Sequence, residues 1–431
     1  MLEVKPFKGI VYNQEKISDL TQVVAPPYDV ISKKDQGRYH NNHPFNIIHI
    51  DKGIDLHNDN NINNKYTRAT TYLKKWLKEK YLTQDRKPYF YIYQKVYTID
   101  NIQKEVTGFI GLMKLEEFSS QKILPHERTH SKPIKDRLSL LSNCKAHISQ
   151  IFSLYQDQDI PDLINNFIEN KAPFIDIIFE DQIRHKVWRI NNEETIRKIQ
   201  EGMKNKKIFI ADGHHRYQTA LNYKKQLENE GIEINDNDPR NYIMSYFTNI
   251  LNKGLTILPT HRLIFNFNGM EFNSIRNTIK KYFHIESCPH LPSLSHKLKE
   301  NEGSNHIFGL FAENEFYLLT LKNLNLIDRL SPKEQPPQLN HLAVSVLQHT
   351  LIHNVLGIKE EEEMEQKISY ARSKEEAVNL VKEGKYKLAL FVTPTKIEEV
   401  EKIAYLGVLM PQKSTYFYPK LLTGLVMYKL D

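Results

Sequence analysis

Cysteine is almost missing from this chain: Cys144 and Cys288 are the only two in 431 residues. Two thiols exclude a disulfide framework and suit a reducing compartment. No run of 18 apolar residues occurs, so no membrane span is expected. The start, MLEVKPFKGIVYNQEK, has no apolar stretch of the kind a signal peptide needs, and a cytoplasmic location is expected. Glycine is sparse, at 16 residues, and no internal repeat is evident. A basic run interleaved with aromatics is also lacking, although the net charge is +7 and the pI near 8.9. Nucleic acid is therefore not an expected partner. The scattered lysines make a solvated basic surface that favours anionic substrates.

What is present is a globular composition, 40% hydrophobic and 26% charged, in a chain long enough for two or three domains. The expected class is α/β (α+β mixed), with one boundary near residue 245 separating regions 1–245 and 246–431. VAPPYDVI is a stiff Pro-Pro segment before a helix start, with Ser32 and Asp35 as a weak capping box. Phe45–Ile50 reads as a buried strand, and the asparagine-rich run His57–Asn64 as a polar spacer. Tyr72, Leu73, Trp76, Leu77 and Tyr81 fall at helical spacing. Two hairpins are predicted, one turning at Asp100-Asn101 and one across Asp181. Glu360 to Glu363 suit a helix start, where acids complement the dipole.

The densest chemistry lies in KKIFIADGHHRYQTALNYKK, Lys206 to Lys225. Ile208 and Ile210 alternate as in a half-buried strand, Asp212-Gly213 is turn chemistry, and Tyr217, Ala220, Leu221, Lys224 and Leu227 mark one helix face. Gly231 is a plausible stop. A helix N-terminus fronted by Gly213 and followed by His214, His215 and Arg216 suits a phosphate. Neighbouring histidines on a helix point about 100° apart and do not converge on one ion by themselves.

His126-Glu127-Arg128-Thr129-His130 spells H-E-x-x-H. On a helix that spacing turns two histidines toward one zinc ion, with the glutamate as base. Pro125 and Pro133 leave little more than one turn between them, and no third ligand stands out downstream. The favoured reading is a stiff loop presenting Glu127 ahead of a separate helix, capped by Ser131, with Ile134, Leu138 and Leu141 on its buried face. A zinc-dependent hydrolase using His126, Glu127 and His130 remains the alternative, as does a plain surface glutamate paired with Arg128 or Lys132.

VVAPPYDVI, LPHERTHSKPIKDRLSLL, ADGHHRYQTAL, ILPTHRL and MPQKSTYFYPK, in that order, together resemble a widespread family known as a domain of unknown function, DUF1015. The D-G-H-H-R box is also similar to the phosphate loop of the ParB/sulfiredoxin-like superfamily, where free-serine kinases pair P-H-E with D-G-H-H-R. Here 84 residues separate Glu127 from Asp212, so the N-terminal catalytic region must carry insertions. The resemblance implies a kinase that uses ATP or ADP and Mg²⁺ to phosphorylate a small alcohol, free L-serine above all. It implies Glu127 as general base, and Asp212 orienting the nucleophile or helping to hold Mg²⁺. Gly213, His214, His215, Arg216 and His126 would contact the phosphates. Asp29 would meet the substrate amine, and His261 and Arg262 its carboxylate or a phosphate. Lys413, Ser414 and Thr415 would close on an anionic group. A ParB-like nucleotide- or DNA-binding module is a further alternative, and a homodimer is compatible with the sequence.

Overall fold

The computed structural model describes residues 1–266, 271–301 and 306–431. It divides into two compact units: Met1–Pro125 with Thr129–Thr256 and Pro419–Asp431, and His126–Arg128 with Ile257–Tyr418. Among the described residues no helix is long and apolar enough to cross a membrane.

The first unit carries strands β1 (Val4–Lys5), β2 (Phe90–Ile99), β3 (Ile102–Lys114), β4 (Ile123–Leu124), β5 (Ile151–Tyr155), β6 (Ile175–Ile178), β7 (Arg184–Ile190), β8 (Ile208–Asp212) and β9 (Tyr242–Asn249). They form one mixed sheet in the order β4-β8-β5-β9-β3-β2-β7-β6, with β1 on β3. Only β8–β4 and β9–β5 run parallel. A boundary at residue 245 would cut β9 in its middle, in the centre of this sheet. The C-terminal segment also returns to the first unit, where Tyr428 and Lys429 pair with His147 and Ala146. A single cut along the sequence therefore cannot describe the units.

The expected hairpin between β2 and β3 forms, and Asp100 (φ 51°) and Asn101 (φ 61°) take its left-handed turn. The β6–β7 hairpin forms as well. Helices α1 (Lys33–Asn42), α2 (Lys65–Lys78), α3 (Ser131–Cys144) and α4 (His214–Asn229) belong to this unit. Ser32 caps α1 by accepting from the Asp35 amide. Asn64, the end of the polar spacer, caps α2 in a reciprocal box with Thr67.

Three expectations fail. Phe45–Ile50 is not a strand: Asn46 accepts from the Ile48 amide, and the chain turns into a short helix, Ile48–Asp51. A short apolar run fits either structure, and the asparagine at its start decides. Ser131 does not cap α3; His130 is its N-cap residue. The third fails in part: Leu141 is buried as expected, with Arg137, Leu140 and Cys144 beside it, while Ile134 and Leu138 are only half-buried.

The second unit holds β10 (His261–Ile264), β11 (Phe283–Cys288), β12 (Ile307–Ala312), β13 (Glu315–Leu321), β14 (Ile368–Ala371) and β15 (Leu388–Phe391). They make an antiparallel sheet in the order β11-β13-β12-β15-β10-β14. The glutamate run opens a helix, Glu361–Lys367, as expected. Each unit has its own core, around Phe90, Phe109, Ile151 and Tyr217 in the first and Leu263, Phe311 and Phe391 in the second. The protein is thus mixed α/β in both units.

The close approach of β3 and β9 requires a glycine at position 108, where a Cβ would stand 2.2 Å from the Phe247 carbonyl oxygen. Gly108→Ala should lower stability by about 1–3 kcal/mol, because backbone atoms in a sheet centre cannot step aside. Urea unfolding of both proteins checks this, and an unchanged midpoint would show that the strands have slack.

Candidate active site

In the first unit the site is built on β8, Gly213 and α4. Gly213 has φ +93°, which a side chain resists, and a Cβ there would press on Ile151. The strand ends at Asp212, and the helix begins one residue later, which leaves its first N–H groups without intrahelical acceptors. Asp212 is the hub. Its Oδ2 accepts from Arg216 Nη2 at 3.0 Å and its Oδ1 from Lys420 Nζ at 2.5 Å. Arg216 is held from behind by Ser149 Oγ at 3.1 Å and by the Gln150 carbonyl. Two cations thus flank one carboxylate at a helix N-terminus, an arrangement with a net positive charge.

The two histidines divide their work. His214 is buried at 4% exposure. His215 Nε2 accepts from the His130 amide at 3.0 Å, so the ring presents a lone pair there and fixes the start of α3. Direct phosphate contact by both rings, as expected from sequence, is not what this arrangement offers. Both oxygens of Asp212, the residue expected to help hold Mg²⁺, accept from cations here. Among the described residues no group of three or more His, Cys, Asp or Glu could hold a metal ion.

Lys420 was not singled out in the sequence. Its signal was its place at the end of MPQKSTYFYPK, directly after Pro419. Below it lies Lys95 of β2, also missed, fully buried, with Nζ donating to the Pro419 carbonyl at 2.7 Å. The ammonium sits 4.8 Å from the Phe152 ring centre and 5.2 Å from that of Tyr246. Burial and then the Lys420 charge pull its pKa down to about 7, with Asp212 opposing.

In the second unit the P-H-E segment is extended, with no helix between Pro125 and His130. The helical turn that H-E-x-x-H needs for zinc is absent, because the first helical residue is Ser131. Instead the segment zips onto the loop after Leu409. Glu127 bridges Met410 in parallel, and the Met410 amide donates to the His126 carbonyl at 2.8 Å. The buried His126 shares a 2.8 Å hydrogen bond between Nε2 and Thr415 Oγ1. Glu127 stays half-buried, and its Oε1 accepts from the Lys413 amide at 3.1 Å. Lys413 stands at φ +53°, which aims that amide. Two motifs far apart in sequence therefore meet here.

Other expected ligands face elsewhere. Ser414 and Thr415 are buried, and Ser414 Oγ donates to the Pro411 carbonyl at 2.6 Å. Arg262, 2% exposed, spends its guanidinium on the carbonyls of Thr260, Gln412 and Lys413, so it secures the loop. His261 is a correction. It is 1% exposed, accepts from the Val392 amide, and burial drives its pKa to about 3, so it carries no charge for a carboxylate. Asp29 is exposed in the turn after Pro27.

A family model described as "protein of unknown function (DUF1015)" matches residues 4–349. The chain belongs to this family. No curated protein matches it. Among solved structures, a free serine kinase in complex with AMP aligns at 15% identity and a TM-score of 0.36, over 71% of this chain and 86% of that one. A conserved hypothetical protein from Pyrococcus furiosus gives 14%, 0.34, 71% and 89%. SbnI with a C-terminal truncation, from Staphylococcus aureus, gives 10%, 0.37, 73% and 85%.

Lys95 gives this site a pH signature. Its pKa falls from 10.5 unfolded to about 7 folded, so between these values only the unfolded chain binds the proton. Its contribution to stability then rises with pH across that window and is least favourable below about 7. Relative to wild type, Lys95→Met should be favoured most near pH 6 and progressively less by pH 9. Thermal unfolding across this range reads the difference, and a constant offset would assign Lys95 an ordinary pKa.

Proposed function

We propose that the protein is a small-molecule kinase that transfers a phosphoryl group from ATP or ADP to the hydroxyl of a free amino acid. L-serine, giving O-phospho-L-serine, is the acceptor to test first. The observation that carries this reading is the Asp212, Arg216 and Lys420 network at the N-terminus of α4. Phosphoryl transfer needs positioning and charge neutralisation more than covalent chemistry, and this network supplies both. Arg216 and Lys420 would meet phosphate oxygens, with Asp212 orienting the two cations. Gly213 lets the helix N–H groups approach the phosphates.

Glu127 would be the general base. A carboxylate held by one amide keeps a second oxygen with which to accept a hydroxyl proton. The hydroxyl oxygen then forms its bond to the terminal phosphorus as the bridging P–O bond breaks, and the nucleotide leaves with that oxygen. Magnesium finds no protein cluster among the described residues, and its place in this reading is on the nucleotide phosphates it prefers. Serine as acceptor rests on the P-H-E and D-G-H-H-R motifs that resemble those of free-serine kinases. Zinc hydrolysis loses its footing with the extended 125–130 segment. A DNA-binding module would instead show salt-sensitive duplex binding.

The direct test incubates the protein with ATP or ADP, Mg²⁺ and a pool of free amino acids and polyols, followed by mass spectrometry of phosphorylated products. No product from any acceptor would end the proposal. Given an acceptor, Arg216→Ala should weaken nucleotide binding roughly 10- to 150-fold, the value of about 1.5–3 kcal/mol for a charged hydrogen bond. Glu127→Gln keeps the Lys413 contact but cannot take a proton, so turnover should fall about 10²–10⁴-fold with nucleotide affinity little changed. His126→Ala should be milder. A Glu127→Gln protein with near-normal turnover would remove the base assignment.

A further inference from the structure

Three residues of the motif segments have no part in the reaction above: Tyr28, Asp136 and Arg137. In the first unit they line the same cavity, of about 310 Å³, together with Asp51, Lys52 and Lys65. That volume is at the small end for a ligand site, and the lining is charged in both senses. Lys65 Nζ lies 3.2 Å from carboxylates of both Asp55 and Asp136. Lys52 Nζ donates to the carbonyls of Tyr28 at 2.7 Å and Ile31 at 2.6 Å, two of its three N–H groups. Arg137 gives four hydrogen bonds to Asp51 and Asp136 and lies 4.0 Å from the centre of the Tyr28 ring, so it is a fixed wall.

The decisive atom is Asp51 Oδ2. Asp51 is 3% exposed, and its Oδ1 takes Arg137 Nη1 at 3.0 Å. Its Oδ2 is buried with no hydrogen-bond partner among the described residues. A buried acceptor left unmatched costs about 1–3 kcal/mol, more when charged, and a donor arriving from the cavity would recover it. Burial also raises the Asp51 pKa, against the pull of Arg137, because desolvation disfavours its charged form. A metal ion is the wrong cation, since these carboxylates do not form a metal-holding group.

We propose that this cavity binds a small zwitterion of the α-amino acid class, its ammonium at Asp51 and its carboxylate at Lys52 and Lys65. The proposal does not rest on phosphoryl transfer. The site also shares a wall with the surroundings of the D-G-H-H-R loop. A smaller cavity of about 40 Å³ shares Asp51, Arg137 and Leu140 with the first and is lined further on by Ser149 and Arg216. The Asp51–Arg137 pair lines both cavities and stands between them.

Calorimetry with four probes tests the charge pattern on the full chain. L-Serine and L-alanine should bind, while ethanolamine, which lacks the carboxylate, and L-lactate, which lacks the ammonium, should bind at least tenfold more weakly. Lactate equal to alanine would overturn the ammonium site, and no binding by either amino acid at millimolar concentration would overturn the whole. Asp51→Asn should lose at least tenfold in serine affinity. Should that variant not fold, hydrogen exchange of the wild-type chain decides instead. Serine should protect segments 28–31, 50–55 and 65–66, and protection confined elsewhere refutes the assignment. Serine bound here but never phosphorylated would retain the cavity and sink the kinase. Serine phosphorylated with no protection here would do the reverse.

Discussion

The ion triad of Asp212, Arg216 and Lys420 is the constraint on which the first unit's chemistry depends. It joins a strand end, the first turn of a helix and the C-terminal segment, with Lys420 lying 208 residues from its partner in sequence. All three side chains are less than a fifth exposed. An ion pair this buried contributes little net stability, because desolvation consumes most of the Coulomb attraction. What it does contribute is position. Arg216 cannot swing away while Asp212, Ser149 and the Gln150 carbonyl hold it, and Lys420 is anchored through Pro419 to the buried Lys95.

The second unit solves a similar positioning problem largely with backbone groups. There the carbonyl and amide groups of His126, Met410 and Lys413 close a short parallel contact, and His126 locks it through Thr415. Arg262 contributes a buried guanidinium whose partners are carbonyls, which leaves its charge uncompensated and its pKa lowered by desolvation. Tyr370 lies against it, with Arg262 Cζ 5.7 Å from the ring centre, and gives partial relief. The expense is spent on one short loop, the loop whose Lys413 amide fixes the Glu127 carboxylate.

Much of this was legible because it is local. The β8–Gly213–α4 unit, the two hairpins and the Ser32 cap are each written within a few consecutive residues, and each forms. What was not legible is pairwise and distant. Nothing near Lys420 announces Asp212, and nothing near Thr415 announces His126, 289 residues away. Histidines misled for a related reason. In sequence His214, His215 and His261 read as cations or donors, whereas burial and backbone amides make His215 and His261 acceptors at the nitrogens concerned. The Phe45–Ile50 segment failed because six apolar-rich residues fit either regular structure until Asn46 turns the chain.

The same contrast separates the two polar clusters of the first unit. Around Asp212 each carboxylate oxygen has a cation, so the carboxylate is matched on both sides and the cluster carries a surplus positive charge. Around Asp51 one oxygen is matched and the other is not, so the cluster is incomplete and calls for a cation. Arg137 does not supply it, since its hydrogen bonds go to Asp136, the Asp51 carbonyl and Oδ1. Lys52 does not either, because two backbone carbonyls hold its ammonium in place. The unmatched oxygen therefore lacks a partner among the described residues, and the cavity that Asp51 lines carries charges of both signs.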